Sequence, residues 1–262
     1  MKFPASKGVT YGLPSLIYDL VLWFDGMNAD GSNNATLTNG QAMSQWNDLS
    51  GNNYHATQGT ALYQPSFQSF ENGINKLASI YFAGDASGNA GDYLKTATSI
   101  TCGASYSMFA VVLPDVGSLG VNRDIFRIVD NFVTQNNAGS ITCVGANRDF
   151  RFLHSVSATS NDLRSAPIDT WDDRVNIISA IRDYSASAYV KINNVNFITG
   201  GSVSVGAFAI NPMLAAIGCF NETIQRFYKG AMGEILFYNR ALTANEVAAV
   251  QGYLHKKWNA EL

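Results

Sequence analysis

The chain has 262 residues, of which 47% are hydrophobic and only 14% charged, with a formal net charge of −3. That is enough apolar material for a sizeable core in one large domain, and the charged fraction is well below the roughly 25% of ordinary soluble domains. The negative balance argues against a nucleic-acid partner, which would favour a basic face. No run of about 18 apolar residues exists to cross a membrane as a helix.

Residues 1–15 read as an N-terminal arm. Pro4, Gly8, Gly12 and Pro14 make it a poor helix and a poor central strand. It has no apolar stretch of the kind a secretory signal needs, so the chain is expected to be made without export. Yet Phe3, Val9, Tyr11 and Leu13 are more apolar than a solvated linker requires. Such segments become ordered by docking on a neighbour.

From Leu16 onward, short apolar runs alternate with turns rich in Gly, Asn, Asp and Ser. Strands are predicted at Leu20–Phe24, Ser79–Phe82, Ser107–Leu113, Ile125–Val129, Phe150–His154, Arg174–Arg182, Ala188–Ile192, Met213–Ile217 and Glu234–Tyr238. In Ser107–Leu113 the period of two puts Met108, Ala110 and Val112 on one face, and Phe109, Val111 and Leu113 on the other. Both faces are apolar, as in a central strand of a stacked sheet. Asn193-Asn194 is placed at a hairpin tip, because Asn tolerates the left-handed region. Many short strands between turn signals define an all-β sandwich. Cys102, Cys143 and Cys219 are odd in number and lack metal-site spacing, so they are read as reduced, buried thiols.

The last strand runs into a polar turn at Asn239-Arg240 and then a helix start. Thr243 is the N-cap and Glu246, three residues on, completes a capping box. Val247, Val250, Leu254 and Trp258 recur at helical spacing, so one face of this helix is apolar and packs back on the body.

Several segments together carry a resemblance. They are Leu20–Asp25, Trp46–Gln58 with Gln64-Pro65, Ile80–Asp85 with Asp92–Leu94, Tyr106–Val112, Lys191–Asn194 and Gly230–Trp258. In this order they resemble the laminin-G-like, concanavalin-A-like jelly rolls of bacterial and phage proteins, over residues 16–259. The resemblance implies two curved antiparallel sheets stacked face to face, with a short C-terminal helix. It also implies a non-catalytic module that binds glycans or other surfaces. A structural calcium is the cofactor it raises, with Asp25, Asp48, Asp85 and Glu234 at the matching turns or strands. Gly233 stands where relatives often carry an Asp, so a ligand is lost and neither a metal nor another cofactor is expected; Asp48 has the simpler role of closing an Asx turn with Ser50 and Gly51.

Catalytic alternatives on this fold find little support in the sequence. Glycoside hydrolysis needs two carboxylates about 5–10 Å apart, and the glutamates are scattered. In Asp149–His154, Arg151 and His154 fall on opposite faces of a strand. Trp23, Trp46, Trp171 and Trp258 are expected to pack rather than to stack on sugars. Tyr54, Tyr63, Tyr184 and Phe208 are the candidates for a binding rim.

The expectation is therefore a single sandwich domain, residues 16–262, preceded by the arm 1–15. It has no enzymatic activity and recognises glycans or surfaces as part of a phage particle (decoration, fibre or tail adhesin). Its partners would be capsid or other virion proteins met through the arm, in an oligomer or larger assembly on the virion surface. The alternatives are an extracellular carbohydrate-binding module of a secreted bacterial protein, or a polysaccharide-cleaving enzyme on the same fold.

Overall fold

The computed structural model describes residues 14–84, 90–115, 122–130, 138–144, 149–156, 159–164, 174–184, 188–193, 195–201, 213–220 and 226–258. They form two eight-stranded sheets in which all pairings are antiparallel. In the first sheet the order is β14 (Val195–Gly201), β13 (Ala188–Ile192), β12 (Asn176–Arg182), β7 (Tyr106–Pro114), β16 (Lys229–Tyr238), β5 (Ser79–Ala83) and β4 (Ser66–Gln68). The long strand β16 takes β7 along one edge. Along its other edge it takes β5 at residues 229–232 and β1 (Leu20–Asp25) at residues 234–238. The second sheet runs β11 (Thr159–Arg164), β10 (Asp149–Val156), β9 (Ala138–Val144), β8 (Asn122–Val129), β15 (Leu214–Ile217), β6 (Leu94–Thr96), β3 (Ala56–Thr57) and β2 (Gln45–Trp46).

The interior follows the alternation read from the sequence. Met108, Ala110 and Val112 of β7 face the second sheet and meet Phe24, Phe82, Phe126, Phe152 and Phe237 in one buried cluster. Phe109 and Val111 point the other way, into a second cluster under the helix. A polar tip inside the sandwich is satisfied locally: the Tyr106 hydroxyl meets His154 Nδ1 at 2.8 Å, and the ring lies over Gly139, where a side chain would not fit. The three cysteines are free and buried. Asn193 sits in the left-handed region at φ 46°, where the hairpin between β13 and β14 turns; Asn194 lies outside the described residues.

The helix α1 (Ala244–Trp258) starts as its sequence predicts. Thr243 N donates to Glu246 Oε2 at 2.8 Å, and Glu246 N donates to Thr243 Oγ1 at 3.4 Å. Arg240 grips the same carboxylate with two bonds of 2.8 and 2.6 Å. That bidentate grip, aided by the Thr243 N–H, holds the Glu246 carboxyl down at about 2. Val247, Val250, Leu254 and Trp258 are buried against the outer face of the first sheet. Each contributes about 1.5–3 kcal/mol of hydrophobic burial relative to exposure. At the other terminus Pro14 is buried and its carbonyl accepts from the Tyr238 hydroxyl at 3.2 Å. Thus the last residues assigned to the arm already touch the sandwich, and the arm's residues 1–13 lie outside the described residues.

Candidate functional site

Among the carboxylates weighed as calcium ligands, Asp25, Asp48 and Glu234 are engaged by protein donors. Asp25 and Glu234 are cross-strand partners on the outer face of the first sheet, under α1. Glu234 is fully buried and accepts from Trp23 Nε1 (2.7 Å), Tyr253 Oη (2.9 Å), Lys257 Nζ (2.7 Å) and Trp258 Nε1 (2.8 Å). Lys257 Nζ also reaches Asp25 Oδ2 at 2.5 Å, while Asp25 Oδ1 accepts from Met27 N at 2.9 Å. Burial, and then the neighbouring Asp25, push the Glu234 carboxyl up, and Lys257 opposes them. The countercharge at this spot is therefore a lysine ammonium built into the helix. A calcium ion would have to displace it, so this donor set does not suit one.

The same contacts explain Gly233. A β-carbon there would come within 2.8–2.9 Å of the Trp258 ring, so an Asp at this position excludes the docked indole. The strand bulges here between Met232 and Glu234, which carries Glu234 under the helix. Asp48 takes the simpler of its two expected roles. Its Oδ1 accepts from Trp23 N and Ser50 N, both at 3.0 Å, and its Oδ2 from Ser50 Oγ (2.8 Å) and Tyr54 N (3.0 Å). Asp85 lies outside the described residues. No group of three or more His, Cys, Asp or Glu among the described residues could hold a metal ion.

The rim aromatics stand in separate settings. Tyr54 packs half-buried against the main cluster. Tyr63 lies against Tyr93, with ring centroids 6.0 Å apart and the rings tilted by 35°. Tyr184 is exposed, with the Arg182 guanidinium 5.4 Å from its ring. Phe208 and Trp171 lie outside the described residues. Trp46 and Trp258 are fully buried, and Trp23 is held by its bond to Glu234.

The outer face of the second sheet is polar but also internally engaged. Asp124 pairs with Arg127 at 3.0 Å and accepts from Thr142 Oγ1 at 2.6 Å, all three being buried. The Arg127 and Arg226 guanidiniums lie 4.2 and 4.3 Å from the Phe220 ring. Arg151 is the cross-strand partner of Thr142 on this face, whereas His154 points inward to Tyr106. The two diverge as the strand alternation requires.

One hollow differs. On the first sheet, beyond the end of α1, a cross-strand row runs Ser66, Tyr81, Ala231, Leu113 over β4, β5, β16 and β7. Ala231 is the smallest side chain of the row and lies between Tyr81 and Leu113, so the face sinks there. The result is a cavity of about 270 Å³ lined by Gln68, Asn72, Tyr81, Leu113, Asp115 and Ala231. Tyr81 donates to Asp115 Oδ2 at 2.7 Å, and Lys229 Nζ lies 3.9 Å from the same oxygen. Burial, and then the bond to Asp115, raise the tyrosine to about 12, so it stays protonated and donating. Asp115 Oδ1 receives no donor among the described residues. Gln68 and Asn72 each use one amide N–H, at 3.5 and 3.3 Å, and keep their carbonyl oxygens open. In a second hollow of about 230 Å³, beside Asp30 and Asn47, the carboxylate has both oxygens engaged. There Asp30 accepts four bonds, Gln41 Oε1 accepts from Thr38 N and Oγ1, and Gln45 bonds Asn47. None of the residues around Tyr81 was singled out from the sequence. The available signal was Tyr81 itself, an outward-facing aromatic between the inward Ile80 and Phe82.

The architecture is that of a two-sheet antiparallel β-sandwich with one helix, α1, on its outer face. The sequence matches no protein-family model and no curated protein. Among solved structures, domain 4 of the extracellular arabinanase AbnA from Geobacillus stearothermophilus, in complex with arabinotriose, aligns with a TM-score of 0.62 at 16% identity. That alignment covers 89% of this chain and 98% of that one. A pentraxin from Limulus polyphemus aligns at 0.53 and 14% identity, over 66% and 81% of the two chains. The ligand-binding domain of botulinum neurotoxin serotype D, in complex with N-acetylneuraminic acid, aligns at 0.55 and 10% identity; it covers 90% of this chain and 51% of that protein. At these identities the likeness is one of fold.

Proposed function

We propose that this chain is a non-catalytic glycan-recognition module and that the hollow around Tyr81 and Asp115 is its sugar site. The carrying observation is the open hydrogen-bonding capacity of Asp115, Gln68 and Asn72 around an aromatic, in a fold whose other carboxylates described above are engaged by protein donors. Sugar recognition uses this mixture: an apolar ring face to lie against and fixed polar groups for the hydroxyls. The non-catalytic reading is supported by the Asp25–Glu234 pair, whose charges Lys257 ties down under the helix. The test is titration calorimetry or a glycan array with wild type, Asp115→Ala and Ala231→Leu. Asp115→Ala removes a charged acceptor and should weaken binding at least about tenfold. Ala231→Leu should fill the hollow and abolish binding while the circular dichroism stays unchanged. Wild-type affinity in both variants would refute the assignment.

A second reading concerns where the module works, and rests on the root of the arm. Pro14 is fixed to the sandwich by Tyr238, and the neighbouring Leu16 and Tyr18 are 72% and 67% exposed. That apolar surface beside the arm suits a protein partner. On this reading the arm docks on a neighbouring subunit or a shell protein, and the module is displayed on the surface of a phage particle. Deleting residues 1–13 should leave the fold intact and abolish incorporation into particles. Unchanged incorporation would refute it.

A further inference from the structure

The hollow's own chemistry also selects among sugars, on the reading that it binds them. We infer that it takes a single neutral, hydroxyl-rich sugar ring and rejects sialylated and uronic-acid glycans. The open groups on the residues that line the cavity are mostly acceptors: Asp115 Oδ1, the oxygens of Gln68 and Asn72, and the Tyr81 oxygen, whose proton is committed to Asp115. Among the lining residues the amide nitrogens of Gln68 and Asn72 are the remaining donors. Such a lining asks the ligand for O–H groups. A carboxylate brings none, and would set its charge against the Asp115 carboxylate and the lone pairs of Tyr81.

The opposite selection, for an ammonium-bearing amino sugar, is countered by Lys229. Its Nζ lies 3.9 Å from Asp115 Oδ2, with both side chains about a third exposed, so Asp115 already has a cation beside it, outside the residues that line the cavity. A second ammonium at Asp115 would meet that like charge. Size sets the remaining limit. At about 270 Å³ the cavity is below the roughly 300–1,000 Å³ of pockets that enclose drug-sized ligands, so one ring enters and the rest of a chain lies outside.

The experiment is a competition panel on the intact chain: arabinose, galactose and glucose with their short oligomers, against N-acetylneuraminic acid, glucuronic acid and glucosamine. Neutral sugars should bind, lose at least about tenfold with Asp115→Ala, and change less than about twofold as ionic strength rises from about 0.05 to 0.5 M. Oligomers should gain less than about threefold over the best single ring, since only one ring makes contacts. Anionic or amino sugars binding as well as neutral ones, with sensitivity to Asp115→Ala, would overturn this selectivity and leave the glycan site standing. Neutral sugars binding equally to Asp115→Asn, Asp115→Ala and Ala231→Leu would place recognition elsewhere and overturn the inference. Absence of binding by every sugar would overturn the glycan reading itself.

Discussion

Glu234 and Asp115 flank the same sheet face and are used in opposite ways. Glu234 lies under α1, fully buried, and four side chains donate to it. Asp115 lies just past the end of β7, beyond the helix, with one oxygen held by Tyr81 and the other open. The residue class does not decide the role. The number of donors that the fold brings to each carboxylate does. A carboxylate saturated by its own protein fastens elements together, whereas one left with an open oxygen beside a hollow can hold a ligand.

The comparison can be broken from the helix side first. Glu234→Gln replaces one acceptor oxygen with an NH₂ group that faces donors. It should cost about 3–5 kcal/mol in chemical denaturation, as breaking a buried ion pair does. Trp258→Ala removes the buried indole from the same network and should also cost about 3–5 kcal/mol. A loss under about 0.5 kcal/mol from either would show that the helix is not docked through this cluster. Next in size, Thr243→Ala should cost about 1 kcal/mol by removing the cap. The Glu246 half of that cap has a pH signature. Its pKa falls on folding from 4.5 to about 2, so its contribution is present above about 4.5 and fades as pH drops through about 2. Denaturation midpoints of wild type and Glu246→Gln should therefore converge in acid. The smallest expected effect is at the other carboxylate. Asp115→Ala should change stability by no more than about 0.5 kcal/mol, because the residue is partly exposed and bonded on one side. A large loss there would make Asp115 a fastener like Glu234.

The sequence displayed the scaffold well and the candidate site poorly, for identifiable reasons. Each strand read from apolar periodicity is present, and Thr243 with Glu246 caps α1 as its spacing requires. The start of β12 was placed slightly early: the strand begins at Asn176 rather than Arg174. Strands without that signal were missed. β2, β3, β4 and β6 are two or three residues long, β9 is built largely from small residues, β11 is mostly polar, and β14 ends in two glycines. Their pairing comes from the neighbours they lie against. Lys257 could not be read as the partner of Asp25 and Glu234, because a lysine near a helix end has a sufficient local explanation in the helix dipole. Tyr81 and Asp115 are 34 residues apart, and their meeting depends on Ala231, a small residue on a third strand. Only the register of the folded sheet brings these together.

The buried thiols give this molecule internal clocks. Burial pushes the Cys102 thiol well above its usual range, opposed only in part by Arg182, and Cys143 and Cys219 are about 1% exposed. A thiol-reactive reagent acts on the thiolate and needs contact, so it meets almost none of either in the closed state. Each labelling rate therefore times a transient opening. Cys102 lies just before β7, Cys143 within β9 and Cys219 just after β15, so three separate opening rates can be followed in one native chain without any introduced probe.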